Sequence, residues 1–323
     1  MTRMTTTAFR AVACRAWILS IILGLPAATQ PAASEPVPQV FIQVTDDPAD
    51  ERHPAWSPDG GRIAFDRDSA GVVHSAIWVV DAAGGNAVKI TTAGAVHRAP
   101  TWSPDGARLA FSRNLAIWTA SAEGGDLLQL TDAPSSEAAD SYPAWSPGGG
   151  TIAYTTGDGA WLDYRLYRIP AEGGEEQRIV VDTEADGEPA WSPDGNLIAF
   201  RGRTIVDSAS VTKIFAGPVA GGAATVVSDG RGQDRCPAWS PDSAQIAYAS
   251  YRTGNWDIWV APAAGGPSVQ ATTDPADDLF PSWSPDGSRI AFQSDRSGNF
   301  DIWIMEAPVA VSTTSWGRFK RRR

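Results

Sequence analysis

Pro189-Ala190-Trp191-Ser192-Pro193-Asp194-Gly195-Asn196-Leu197-Ile198-Ala199-Phe200 decides how this chain is read, because close copies of it occur six times. Trp-Ser-Pro stands at Trp56, Trp102, Trp145, Trp191, Trp239 and Trp283, at intervals of 46, 43, 46, 48 and 44 residues. Each copy then runs through a turn into a branched residue, an alanine and an aromatic: Ile63-Ala64-Phe65, Leu109-Ala110-Phe111, Ile152-Ala153-Tyr154, Ile198-Ala199-Phe200, Ile246-Ala247-Tyr248 and Ile290-Ala291-Phe292. A period of that length, repeated in phase, is the mark of stacked supersecondary units.

Four short strands, A to D, follow from each unit. Strand A carries Pro-Ala-Trp or a close variant. Ser-Pro-Asp-Gly suits a type I turn, with Pro pre-setting φ at the second position and Gly at the fourth; Gly148 replaces the Asp in the third copy and Ser243 the Gly in the fifth. Strand B sets its branched and aromatic residues on one face and alanine on the other, so neighbouring units are expected to approach closely over the alanine. Strand C centres on pairs such as Ile77-Trp78, Ile214-Phe215 and Ile302-Trp303, and ends at a Gly-Gly hairpin in the first five copies. There positive φ carries no steric cost. Strand D follows in segments such as Leu127 to Thr131 and Val269 to Thr273. The expected fold is all-β, a six-bladed β-propeller of four-stranded antiparallel blades.

The sixth copy lacks its strand D. Gln43 to Trp56 aligns without a gap on Gln270 to Trp283, so Val40 to Thr45 reads as a strand D without a blade of its own. Set beside strand C of the last blade, it closes the ring and leaves no open edge.

These units resemble the WD-like repeats of the TolB family, the periplasmic propellers of the Tol-Pal envelope system, and the related propellers found beside prolyl oligopeptidase-type hydrolases. The resemblance covers residues 40 to 306. It implies a periplasmic or secreted protein that engages a protein or peptide on a propeller face, as TolB engages its lipoprotein partner. TolB has an α/β domain ahead of its propeller, through which the family contacts TolA; the few residues between leader and first strand here do not support that activity.

Residues 1–33 read as a cleaved signal peptide, with Arg3, Arg10 and Arg15 before an apolar run too short to span a bilayer. The propeller is placed at 40–308, and 309–323 is a basic tail with the ordinary character of a disordered terminus. With 26 basic and 37 acidic residues, a net charge of −11 argues against nucleic acid as a partner. Cys236 is the one cysteine beyond the leader, so no internal disulfide is expected, and the chain is expected to be monomeric.

No Gly-x-Ser-x-Gly, His-Glu-x-x-His, Cys-x-x-Cys or phosphate-binding glycine loop occurs. The expectation is a non-catalytic scaffold with no cofactor and no metal. The alternatives are a propeller enzyme or binding protein with a metal ion or carbohydrate in its axial channel, or an accessory to a separate hydrolase. His53, His74 and His97 are placed on loops of one face as solvated or hydrogen-bonding residues. The aspartates of 295–301 and of the related 251–257 loop are assigned to turn hydrogen bonds. Within the propeller, Trp161 and Trp256 stand outside the repeat positions, in B–C loops.

Partner binding is assigned to the rim of the B–C loops and D-to-A links, which differs from blade to blade where the opposite rim is uniform. The chosen residues are His53, Tyr142, Glu188, Cys236 and Phe280, each three before a strand-A tryptophan, with Arg98, Asp140, Asp186, Asp234 and Asp278 nearby. Cys236 is expected to be a small buried hydrophobe. The links carry sixteen acidic residues against four arginines, which points to a basic partner. Charge reversal at Asp140, Glu188, Asp234 and Asp278 is expected to weaken its capture without changing the melting temperature.

Overall fold

The computed structural model describes residues 39–308 apart from 70–73, 93, 133–138, 158–163, 180, 182, 207 and 230–231. The leader, the basic tail and Trp161 lie outside the described residues. The described chain is all strand and turn, in six four-stranded antiparallel sheets. Strand A spans Glu51–Trp56, His97–Trp102, Asp140–Trp145, Glu184–Trp191, Asp234–Trp239 and Asp278–Trp283 in blades one to six. Strand D is reduced to a two-residue ladder in the first five blades, as at Leu128–Gln129 and Val269–Gln270, shorter than the segments read from the sequence.

Ring closure is as the alignment requires. Phe41–Gln43 pairs antiparallel with Asp301–Glu306, with Gln43 opposite Trp303. Past the ladder, Val44 donates its amide to the carbonyl of Ile302, and the Ile302 amide donates to Thr45 Oγ1 at 2.9 Å. The same hydroxyl contact is made by Thr91, Thr131, Ser228 and Thr272 to the strand C amides of Ile77, Ile117, Ile214 and Ile258. Val40 to Thr45 therefore does for the sixth blade what strand D does for the others.

The core consists of six clusters, each shared between two blades. Ala64 packs with Trp102, Leu109 and Phe111, and Ala153 with Ile198 and Phe200; Ala291 of the last blade packs with Trp56, Ile63 and Phe65 of the first. All six strand B alanines and all six strand B aromatics are fully buried. A side chain larger than alanine at these positions would hold adjacent blades apart. Three strand A tryptophans add a polar tie, as Trp102, Trp191 and Trp239 donate their indole N–H to Ala55, Ala144 and Ala190 of the preceding blade at 3.0–3.1 Å.

At each Ser-Pro-Asp-Gly turn the serine amide bonds back across the hairpin while its hydroxyl donates to the aspartate, as in Ser57, Asp59 and Arg62. The fourth residue has positive φ, 72° at Gly60 and 59° at Ser243, which explains the preference for glycine there.

Blade four departs from the rest. Its strands Leu197–Val206 and Ala209–Pro218 form a ten-residue hairpin, so the long B–C span is extended strand, and Ile205 near its tip is 64% exposed.

Two measurements test this architecture. A chain beginning at Asp46 should melt well below one beginning at Ser34, because its last blade ends in an open edge; equal midpoints would remove the closure. Trp191→Ala should cost ~3 to 5 kcal/mol, as for other large-to-small aromatic changes, read as a shift in denaturation midpoint at constant slope.

Candidate functional site

The site starts from a proline inside a strand. Pro54, Pro100, Pro143, Pro189, Pro237 and Pro281 each sit two before the strand A tryptophan. Lacking an N–H, proline cannot continue a ladder, so the strand must bulge there. The A–B register shifts at this point in every blade, as between Arg52 and Ala55. The residue before each proline, His53, Ala99, Tyr142, Glu188, Cys236 or Phe280, has φ between 52° and 57°. That conformation costs a non-glycine residue roughly 1 to 2 kcal/mol.

Four of these amides are taken up by neighbouring blades. His53 donates to Gln293 Oε1 at 3.1 Å, Ala99 to Asp66 Oδ1 at 3.0 Å, Glu188 to Thr155 Oγ1 at 2.9 Å and Cys236 to Glu188 Oε2 at 2.6 Å. Asp66, Thr155 and Gln293 each directly follow the strand B aromatic of the preceding blade. In the fourth blade that position is Arg201, and Glu188 takes over the acceptor role. Asp66, Thr155, Gln293 and Arg201 were not among the residues chosen from the sequence. Their signal is a polar residue immediately after the buried aromatic.

The six bulge residues and their prolines line one axial cavity of about 140 Å³. Five residues chosen from the sequence, His53, Tyr142, Glu188, Cys236 and Phe280, thus meet at the axis, with Ala99 as the sixth. Tyr142 crosses to stack against Phe280 at 6.1 Å between ring centres, and His53 packs edge-on to Phe280 at 4.1 Å. His53 Nδ1 donates to Asp66 Oδ1 at 2.7 Å. Glu188 Oε1 faces Arg201 at 3.7 Å and Arg235 at 3.8 Å, beyond direct hydrogen bonding. Burial pushes the Cys236 thiol well up, with the Glu188 charge adding to it. Burial, then Glu188, likewise raises the Tyr142 hydroxyl. Cys236 is 5% exposed, a buried thiol as expected, but one that lines the cavity.

The other chosen carboxylates are not loop residues. Asp140, Asp234 and Asp278 open strand A and are 4%, 0% and 0% exposed, and Glu188 is 5% exposed. Burial raises Asp140 against the hydroxyls of Thr131 and Thr156, and raises Asp234 against those of Ser228 and Ser250. Asp278 rises from 3.8 to about 6, again through burial, opposed by Ser294 and Arg296. Each fastens the strand D end of one blade, or the strand B of its own, to strand A. They are not available to attract a basic partner. Charge reversal there would place a buried cation among the groups that fasten the blades, so it cannot leave the melting temperature unchanged. Asp186 lies in strand A of blade four, and Arg98, 41% exposed at its side chain, stays at the surface.

His53 and His97 are strand residues, not loop residues, and are buried at 8% and 1% exposed in hydrogen-bonding roles, the second of the two roles expected; His74 alone is exposed among the three. His97 occupies the carboxylate position of blade two. Its Nδ1 donates to the Ser75 carbonyl at 2.8 Å, and burial lowers its pKa. Trp256 is half-buried against the sixth blade and lies under Arg235. In the 251–257 and 295–301 loops, Thr253 and Ser297 donate to Asp257 and Asp301, while Asn255 and Asn299 donate to carbonyls of the next D-to-A link. Among the described residues no three metal-ligating side chains gather.

A closed ring of six such blades around a lined axis defines the β-propeller class. Within that class the chain belongs to the TolB β-propeller domain family, which matches residues 38–162 and 207–317. No curated protein matches the sequence. Among solved structures it is similar to a TolB-type protein from Agrobacterium tumefaciens, with 21% identity, TM-score 0.62, and coverage of 83% of this chain and 97% of that one. It is similar to TolB from Acinetobacter baumannii at 20% identity and TM-score 0.63, over 75% of this chain and 59% of the other. An oligogalacturonate lyase from Vibrio parahaemolyticus superposes at 15% identity and TM-score 0.57, over 83% and 94% of the two chains. These likenesses establish the fold.

The buried carboxylates dictate a pH dependence opposite to ordinary acid unfolding. A carboxyl whose folded pKa is raised binds a proton on folding, so its stabilisation is complete below its ordinary value and is lost as pH rises through the folded one. For Asp278 that window runs from 3.8 to about 6. Asp140 is raised by the same cause, so Asp140→Asn, which keeps the shape and removes the charge, should raise the melting temperature at pH 8 and match the parent at pH 3, below the ordinary carboxyl value. A variant less stable than the parent at pH 8 would show that the ionised carboxylate is the favoured form.

Proposed function

We propose that this chain is an exported, non-catalytic propeller that holds a protein or peptide partner over its axial mouth, on the rim of the B–C loops and D-to-A links. The observation that carries this reading is the axial cavity. Six blades with a common backbone present six different side chains there, whereas the opposite rim repeats nearly the same Ser-Pro-Asp-Gly turn. A volume of about 140 Å³ suits one inserted side chain, being close to the roughly 150 Å³ that accepts benzene in an engineered protein core. Tyr142, Phe280 and the prolines supply apolar walls, the usual composition of a site that seats a partner's anchor residue. The periplasmic or secreted location rests on the leader and the family resemblance.

A second reading has one specific observation in its favour. His53, oriented by Asp66 and facing the cavity, has the form of a general base, and the structural neighbours include oligogalacturonate lyases. The Cys236 thiol that shares the cavity is pushed well up by burial and by the Glu188 charge, which keeps it protonated, and among the described residues no metal-ligating set gathers, so binding is the reading kept.

Benzoylphenylalanine placed at Ala99 should photo-crosslink a discrete partner in envelope extracts, while the same residue at Ser243 on the opposite rim should not. Equal labelling from both rims, or none from Ala99, ends the proposal. Substrate turnover abolished by His53→Gln would replace it with the enzymatic reading.

A further inference from the structure

The charges around the axial cavity are layered. Asp66 and Glu188 are 1% and 5% exposed at their side chains, while Arg98 and Arg235, which face them, are 41% and 34% exposed. Each arginine directly precedes a cavity residue, Ala99 or Cys236, and so lies on the rim side of it along strand A. A group entering from that rim meets guanidinium before carboxylate.

These two arginines are also loosely held. Arg98 stands 3.7 Å from both Asp66 and Asp68, and Arg235 stands 3.8 Å from Glu188 while resting over the Trp256 ring. By contrast, Arg52, Arg252 and Arg296 make contacts of 2.5–2.8 Å to their carboxylates. At 3.7–3.8 Å a guanidinium keeps its charge balanced without spending its N–H donors. Arg201 repeats the pattern from below. Its Nε is buried without a hydrogen-bond partner, 3.7 Å from Glu188.

The positions matter as much as the charges. Blades two and five oppose each other in a six-bladed ring, and they carry the two smallest cavity residues, Ala99 and Cys236. Arg98 and Arg235 therefore stand on opposite sides of the axis, on the rim side of the Tyr142–Phe280 stack that crosses it.

We propose that the axial mouth recognises an acidic peptide segment, its carboxylates accepting hydrogen bonds from Arg98 and Arg235. Arginine's planar fork is suited to this task, since it binds carboxylate bidentately. This deepens the partner-binding reading and rests on it. It also departs from the basic partner expected from the acidic links: Glu51, Asp140, Glu188, Asp234 and Asp278 are buried, while Asp46, Asp132, Asp229 and Asp274 stay exposed on the links.

The test uses the mature chain and two fluorescein-labelled octapeptides, one alternating Glu and Ala and one alternating Lys and Ala, followed by anisotropy at low salt. The Glu peptide should bind saturably, and Arg98→Gln should weaken it tenfold or more with the melting temperature retained. Arg62→Gln, an equal change of charge on the opposite rim, should leave binding within twofold. Equal effects of the two variants, or no saturable binding of the Glu peptide, overturn the proposal. Preferential binding of the Lys peptide, lost in Glu188→Gln, also overturns it but leaves the axial partner site standing. That site is judged separately by crosslinking from Ala99.

Discussion

Everything at the axis of this protein depends on a proline that cannot donate a hydrogen bond. Placed two before the strand A tryptophan in every blade, it interrupts the A–B ladder and forces the preceding residue to φ of 52–57°. Six strained residues of roughly 1 to 2 kcal/mol each would be a heavy burden in a single domain. The strain is offset because the bulge turns the amides of His53, Ala99, Glu188 and Cys236 toward the neighbouring blade, where Gln293, Asp66, Thr155 and Glu188 accept them. The distortion within a blade thereby becomes a bond between blades. The same turn aims the side chain at the axis, so structure and site arise from one local event.

Radial packing and axial bonding divide the work of holding the ring. The alanine-to-aromatic clusters are apolar and nearly identical around the circle, which fixes blade spacing through volume alone. The polar contacts are more varied. A carboxylate stands five before the strand A tryptophan in every blade but the second, where His97 takes that place and exchanges hydrogen bonds with both polar atoms of Ser75 that it can reach. A buried polar group is tolerated wherever it is fully partnered, whatever its chemistry. The repeat can accordingly drift at these positions while the blade geometry persists.

That division explains what could be read in advance. Blade number, strand order, the turns and the closing strand were legible because they rest on local patterns repeated six times: Trp-Ser-Pro, the alternating Ile-Ala-Phe, Gly-Gly, and the gapless match of Gln43–Trp56 to Gln270–Trp283. Five of the six axial residues were also reachable by counting three back from each tryptophan. Burial of the acids was not legible. Asp140, Asp234 and Asp278 sit in a stretch rich in Asp, Pro and Gly that looks like solvated loop, and nothing local says that strand A has already begun. Their partners, Thr131, Ser228 and Thr272, come from the preceding blade, so the pairing appears only once the ring is closed. The strand B partners were missed for the same reason: Asp66 and Thr155 look like ordinary edge polarity until the next blade's bulge is set against them.

Closure also bears on what the axis can do. In an open array the bulge residues would project into solvent as a row, each free to relax. In the closed ring they converge on a cavity whose backbone is fixed from both sides, so a side chain there can change without moving the scaffold. His53, Ala99, Tyr142, Glu188, Cys236 and Phe280 share one backbone conformation and almost no chemistry. Invariant geometry with variable side chains is the arrangement expected of a recognition surface, whereas a merely structural plug would be satisfied by repeating one apolar residue six times. The charges are layered in the same way: Asp66 and Glu188 are buried in the scaffold, and Arg98 and Arg235, 3.7–3.8 Å from them, are 41% and 34% exposed.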